Sequence, residues 1–510
     1  MSKHIETRRN FLKKVGLLST AMATGSLSGC VSFMSSKKPA KRPNFVFILV
    51  DDMGWTDAGC FGSTFYETPN IDRLASEGMK FTDGYAACPV CSPTRASVMA
   101  GKYPARMDTT DWFGAIQPDE VKEIPDDGGN SHIKELPLLP APYNECLPLG
   151  ELTIAEVLKQ ADYKTFFAGK WHLGPSKEFW PEHQGFDINK GGWSRGGPYG
   201  PGKYFTPYGN PRLEDGPEGE HLPDRLATET VKFINDNKDK PFLAYLSFYS
   251  VHVPLNTRKD LEQKYIEKKK TIKIDQPIFG NEGKCEVRLI QEHAVYAAMV
   301  DAMDQACGKV LDALKVNGID NNTVVIFMSD NGGLSTSEGH PTSNLPLRAG
   351  KGWIYEGGIR EPMLIKWPGV TKPGSLCSEP VISTDFYPTM LEMAGLDPRP
   401  KQHIDGVSLV PLLKGEKTLG RKAIYWHYPH YGNQGGAPAS AVRYGNWKLI
   451  KWYEDNQLEL YNLKEDIGEK NNLADKKPEL ADKLHKLLNE WLKKMDAKYP
   501  TRNPQAKIKI

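Results

Sequence analysis

Asp51-Asp52 and Asp330-Asn331 supply four hard oxygen donors in two adjacent pairs. Such a set suits Ca²⁺ or Mg²⁺ better than zinc. Each pair follows an apolar run, where an unpaired carboxylate is costly. Lys170-x-His172, His252 before Val253-Pro254, Arg95 and Lys351 add cations and titratable imidazoles. On residue type alone, the Asp-Asp pair also fits a cap, Asp-Asn-Gly-Gly a turn, and Lys-x-His a solvated loop. Cys91 reads on its own as a buried free thiol. Cys88 makes a Cys-x-x-Cys with it, but no second such pair and no nearby His pair completes a zinc site. The eight cysteines, at 30, 60, 88, 91, 146, 285, 307 and 377, are too sparse and irregular for a disulfide framework.

The elements that carry these residues share one texture. Residues 44–50, 163–168, 242–248 and 323–328 are apolar runs rich in β-branched and aromatic side chains. They read as buried parallel strands. Each ends at polar residues: Asp51-Asp52, Lys170-Trp171-His172, His252 and Asp330-Asn331. Helical stretches at 154–161 and 294–314 lie between them. Alternating strands and helices predict an α/β fold, a mostly parallel sheet sandwiched by helices. Ligands then bind at the carboxyl edge of the strands, where the scattered motifs converge. The 510 residues suit one large domain and a smaller one. The net charge of +2 creates no global field favouring nucleic acid.

Cys91-Ser92-Pro93-Thr94-Arg95, followed by Ala96-Ser97-Val98-Met99-Ala100-Gly101-Lys102, resembles the maturation signature of the type I sulfatases, in the alkaline phosphatase-like superfamily. Gly169-Lys170-Trp171-His172-Leu173-Gly174 is similar to a second motif of that family, His252-Val253-Pro254 to its His-x-Pro, and the stretch from Gly350 to Pro362 to a further block. Thr94 stands where Ser is commoner, and Met99-Ala100-Gly101 where Leu-Thr-Gly is usual. The resemblance implies that a dedicated maturing enzyme oxidises Cys91 to formylglycine (3-oxoalanine), whose hydrate is the nucleophile. It implies Asp51, Asp52, Asp330, Asn331 and the modified Cys91 as calcium ligands. Lys170 and His172 then contact nucleophile and sulfate, with His172 the base. His252 is the acid for the leaving oxygen, Lys351 binds a sulfuryl oxygen, and Arg95 holds the nucleophile and its loop. Three carboxylates and a divalent ion leave about −1 against about +3 from Arg95, Lys170 and Lys351, a balance that suits an anionic ester. Gly357-Gly358 is expected to make a tight turn, with Arg360 and Glu361 structural.

Thr7-Arg8-Arg9-Asn10-Phe11-Leu12-Lys13 resembles a twin-arginine export signal, and Leu27-Ser28-Gly29-Cys30 a bacterial lipobox. Residues 1–29 are therefore expected to be a signal peptide, Cys30 a lipid anchor to a membrane, and 30–42 a tether. The protein is placed in the periplasm or at the outer membrane or cell surface. The catalytic domain is expected over 43–415. A carboxyl-terminal subdomain over 416–510 is expected to hold short antiparallel strands at 423–428, 441–451 and 458–463. Its terminal amphipathic helix spans 478–495. Trp112, Trp193, Arg195, His427 and His430, in aromatic or Gly-rich segments, are candidate substrate contacts. A sulfated polysaccharide or oligosaccharide (algal glycan or glycosaminoglycan) is the expected substrate. A phosphomonoester or phosphonate hydrolase of the same superfamily, and an inactive sulfated-glycan-binding lipoprotein, are the alternatives.

Overall fold

Asn44–Val50 forms β1, with every residue buried. The computed structural model describes residues 42–124 and 131–506; the export and lipid-anchor motifs lie outside the described residues. β1 is central to an eight-stranded sheet with β2 (Met79–Phe81), β3 (Lys164–Gly169), β4 (Ile188–Lys190), β5 (Phe242–Ser247), β6 (Thr323–Ser329), β7 (Met363–Lys366) and β8 (Ser375–Cys377). The order is β8-β2-β7-β6-β1-β5-β3-β4. Only β7 runs against its neighbours. The four strands expected from sequence are present to within a residue at their ends. β7 was not anticipated, because Met363–Lys366 is too short to show a period.

Alternate residues of β1 serve the two faces, as a strand requires. Val46, Ile48 and Val50 pack with α1 (Pro69–Glu77), α4 (Leu222–Asn237) and α5 (Ala294–Val316). Phe45, Phe47 and Leu49 pack with α2 (Cys91–Ala100), α3 (Ile154–Gln160) and α6 (Phe386–Met393). The fold is α/β, with the sheet between two helical layers.

Register brings the chemistry together. Val50 pairs with Ser329, Leu49 with Ser247, and Ser247 with Gly169. Four strands therefore end at one level, and Asp51, Asp330 and Lys170 each stand one residue past that edge. Gly169 is required there: its φ is +101°, and a Cβ would lie 1.7 Å from the Ser247 carbonyl oxygen.

A second, antiparallel sheet contains β9 (Ala423–Tyr428), β10 (Ala439–Tyr444), β11 (Trp447–Trp452) and β12 (Leu458–Asn462), in that order. The single strand expected at 441–451 is two. Tyr444 pairs with Trp447 across Gly445-Asn446, and Gly445 has a φ of +60°. This two-residue hairpin is a turn that positive-φ residues favour. α7 (Pro478–Met495) covers the sheet through Leu484 and Leu488. The same core takes in Tyr85 and Val90, just ahead of α2. Gly357-Gly358, expected as a tight turn, instead sits in the short helix Glu356–Ile359.

Beneath this junction lies a buried ionic network. Lys448 of β11 is fully buried and binds Glu356 at 3.0 Å, Glu469 at 2.8 Å and the Ile354 carbonyl at 2.8 Å. Arg360 and Arg443 add Asp83 at 3.1 and 2.7 Å. Removing one partner of such a pair strands buried charge. Lys448→Met is expected to cost about 3–5 kcal/mol, read as a drop in the urea midpoint.

Candidate active site

Asp51, Asp52 and Asp330 are essentially fully buried and lie close enough together for one oxygen from each to share a metal. Each meets a cation from another part of the chain. Lys170, just past β3, donates to Asp51 at 2.9 and 2.7 Å. Lys351 approaches Asp52 at 2.7 and 2.8 Å. Arg95, from α2, donates through Nε to Asp330 at 2.7 Å. Its Nη1 reaches the Lys170 carbonyl at 2.8 Å and Ser247 Oγ at 2.7 Å, and its Nη2 lies 3.7 Å from Asp51. Arg95 thus hydrogen-bonds three strand ends and ion-pairs with a fourth. Burial opposes ionisation of Asp52, but Lys351 and His252 outweigh it and hold the carboxyl below its usual range. Burial likewise opposes charge on Lys351, and Asp52 overrides it, keeping the ammonium charged.

Cys91 begins α2, a helix buried along its whole length. Its Sγ lies 3.5 Å from His172 Nδ1. The tautomer of His172 follows from its other nitrogen. Nε2 is 3.0 Å from the Phe113 carbonyl, which only accepts, so Nε2 carries the hydrogen and Nδ1 presents a lone pair. Ser92 Oγ sits 3.1 Å from Nδ1 while accepting the Phe113 N–H at 3.1 Å. Burial, reinforced by Lys170, holds His172 well below 6.5. Its backbone is left-handed, φ +55°, as is that of Asp52, φ +62°. Such outliers recur where a site over-determines the chain. His252 donates Nδ1–H to the Val253 carbonyl at 2.7 Å and turns Nε2 towards Asp52 at 3.7 Å. Burial, then Lys351, lowers its pKa as well.

The donor set fits a hard divalent cation. Asn331 Nδ2 donates to Asp52 at 2.8 Å, while Asn331 Oδ1 is buried without a hydrogen-bond partner beside the three carboxylates. An orphaned buried carbonyl oxygen in an all-oxygen cluster matches Ca²⁺ or Mg²⁺ coordination.

The expected substrate contacts divide. Trp112 lies directly before Phe113, and the Trp193 carbonyl accepts the His172 N–H at 3.1 Å. The Arg195 guanidinium stacks 5.0 Å over Trp193. His427 and His430 require correction. His427 is 4% exposed and bonds Ser440 at 2.7 Å and the Lys498 carbonyl at 2.8 Å. His430 is 0% exposed and bonds Thr110 at 2.8 Å. Both are held in the interior: Ser440 of β10, Tyr453 and Tyr499 pack around His427, and Thr110, Asp111 and Tyr428 around His430. Sequence reasoning missed Ser92, Ser247 and the Phe113 carbonyl. Ser92 lay within the quoted motif; an apolar run hid Ser247, and a backbone oxygen carries no sequence signal.

An acidic cluster at the carboxyl edge of a helix-covered parallel sheet, ringed by three cations and a Cys–His pair, defines a hydrolase of anionic esters. The sulfatase family profile matches residues 43–396, and the profile of the N-sulphoglucosamine sulphohydrolase carboxyl-terminal region matches 349–498. A sulfatase of Formosa agariphila is 34% identical, covering 92% of each chain. The N-acetylgalactosamine-6-sulfatase of Homo sapiens is 30% identical over 84% of this chain and 74% of its own. The crystal structure of Ps i-CgsB in complex with k-i-k-neocarrahexaose superposes with a TM-score of 0.71 at 29% identity, covering 89% of this chain and 93% of that one. The chain belongs to the sulfatase family and is a sulfuric ester hydrolase.

Two measurements check the imidazole geometry. Ser92→Ala leaves the buried Phe113 N–H without its acceptor and is expected to cost about 1–3 kcal/mol in urea unfolding. The nitrogen resonances of His172 and His252 are expected to stay those of neutral rings at pH 6. Because both folded pKa values lie below the unfolded value of about 6.5, the unfolded chain binds protons first, and their contribution to stability is lost as pH falls through and below 6.5.

Proposed function

We propose that this sulfatase cleaves sulfate monoesters of glycans, with formylglycine made from Cys91 and a calcium ion held by Asp51, Asp52, Asp330 and Asn331. The observation that carries the reading is Cys91 Sγ, 3.5 Å from the lone pair of His172 at the head of a buried helix. The names of two relatives support a carbohydrate: one is an N-acetylgalactosamine-6-sulfatase, the other holds a neocarrahexaose. The amino-terminal motifs support export and lipid anchoring of the chain.

When bound, the ion supplies Lewis-acid polarisation of the ester, and formylglycine supplies an oxygen nucleophile. The chain does the rest. Lys170 and Lys351 are the cations available to a sulfuryl anion once the carboxylates they face are shared with a metal. Arg95 keeps the strand ends together. His172 accepts a proton at Nδ1, and the Phe113 carbonyl prevents its ring from turning the protonated nitrogen inward. His252 delivers a proton from Nε2 to the leaving oxygen. Burial works against loading that proton, whereas Asp52 and an anionic ester favour it.

Cys91→Ala is expected to abolish sulfate release, measured by ion chromatography. The active-site peptide of the mature enzyme is expected about 18 Da below the cysteine form by mass spectrometry, since the CH2SH side chain becomes CHO, losing sulfur and two hydrogens and gaining one oxygen. Equal sulfate release by Cys91→Ala would overturn the mechanism. Asn331→Ala is expected to lower bound calcium in elemental analysis and to remove the thermal stabilisation that added Ca²⁺ gives the wild type, through mass action on the folded state.

A further inference from the structure

Residues 191–200 thread between the two site histidines. Gly196 lies against the His172 ring, where a Cβ would come 2.6 Å from Cε1. Gly197 lies under the ring of Tyr199, where a Cβ would come 2.5 Å from Cζ. Tyr199 is held in place: its N–H binds the Gly197 carbonyl at 2.9 Å, and its own carbonyl accepts Arg195 Nη1 at 3.3 Å. Its ring centroid is 6.2 Å from that of His252, yet the residue is 52% exposed. A fixed, half-exposed aromatic face beside the group that protonates the leaving oxygen is where a leaving sugar stacks its C–H face.

Past Lys351, Glu338 accepts from Gln434 at 2.9 Å and Asn433 at 3.1 Å, tying the 337–340 turn to the 431–436 loop. That loop and Trp112 border a hollow of about 450 Å³, within the usual range for small-molecule sites. It adjoins the site on two sides. Trp112 precedes Phe113, which holds both Ser92 and His172. Gly436 packs on Gly352, next to Lys351, so closely that a Cβ would lie 1.8 Å from the Gly352 carbonyl oxygen. Among the described residues the lining contains no lysine, arginine or histidine. Its one carboxyl, Asp111, accepts from the Trp112 N–H at 2.8 Å and the Tyr428 hydroxyl at 3.2 Å. Among these described lining residues, a sulfate enclosed there would find no countercharge.

Resting on the glycan reading above, we propose that the enzyme recognises two sugar rings: the sulfated one on Tyr199, and an adjoining uncharged one in the hollow beside Trp112. The substrate class is a glycan in which a sulfated sugar neighbours a neutral one.

The test uses the mature enzyme and a panel of galactose and N-acetylgalactosamine sulfates. The best monosaccharide is then offered joined to neutral galactose and joined to sulfated galactose. The neutral-neighbour disaccharide is expected to exceed the monosaccharide in kcat/KM by about tenfold, and the doubly sulfated one to lose that gain. Trp112→Ala is expected to bring the disaccharide-to-monosaccharide ratio close to one, with Trp112→Phe keeping most of it. Tyr199→Ala is expected to raise KM on every sugar by about tenfold, and Tyr199→Phe to restore it, since the ring face does the binding. Thermal melts confirm that each variant is folded. Equal use of the two disaccharides, a ratio unchanged by Trp112→Ala, or a KM unchanged by Tyr199→Ala overturns the inference while leaving the glycan reading intact. Wild-type enzyme that cleaves an aryl sulfate and none of the sugars overturns both.

Discussion

Three carboxylates packed beside one another inside a protein must each be neutralised, and that need organises this molecule. Asp51 and Asp52 leave β1, and Asp330 leaves β6, at the level where the sheet stops. Their cations come from three other places: Lys170 after β3, Arg95 from α2, and Lys351 from the loop ahead of β7. An unpaired charge at this depth costs several kcal/mol, so each ion pair also fixes where its segment ends. The same arrangement lets a divalent ion share the carboxylates, leaving the cations to an anionic ester. Stability and chemistry thus draw on one set of residues.

The helix that starts at Cys91 follows the same logic. Arg95 is one turn along from Cys91, on the same face, because residues four apart align on a helix. The turn that presents the thiol to His172 therefore also sends a guanidinium into the carboxylate cluster. Burial of the whole helix leaves it little freedom to shift. The second sheet reinforces this from outside: Tyr85 and Val90, just before Cys91, share a core with Trp426 and Leu449. Lys448 anchors the stretch around Glu356, a few residues after Lys351. The smaller sheet is in this sense part of the site's support.

Much of this was legible in the chain. β1, β3, β5 and β6 stood out because a buried parallel strand must be apolar throughout and stops where charge begins. α7 was exact, because Leu484 and Leu488 recur at helical spacing. β7 was invisible at four residues. The β10–β11 hairpin was hidden because Tyr444 and Trp447 keep the run strand-like on both sides of Gly445-Asn446. His427 and His430 misled because an aromatic-rich segment looks alike whether it lines a cleft or fills a core; only their bonds to Ser440, Lys498 and Thr110 tell the two apart.

The sequence by itself determined the inventory: the oxygen donors, the three cations, the Cys91 motif, and the strand ends that carry them. Those are properties of residue type and short-range spacing. The tertiary structure decided the pairings, and with them which nitrogen of His172 faces Cys91. That choice rests on the Phe113 carbonyl, 59 residues away along the chain. It likewise set Tyr199 beside His252 and closed the hollow at Trp112. Contacts of this kind arise only when distant segments are packed together, because a carbonyl oxygen or an exposed ring acquires a role from what is placed next to it.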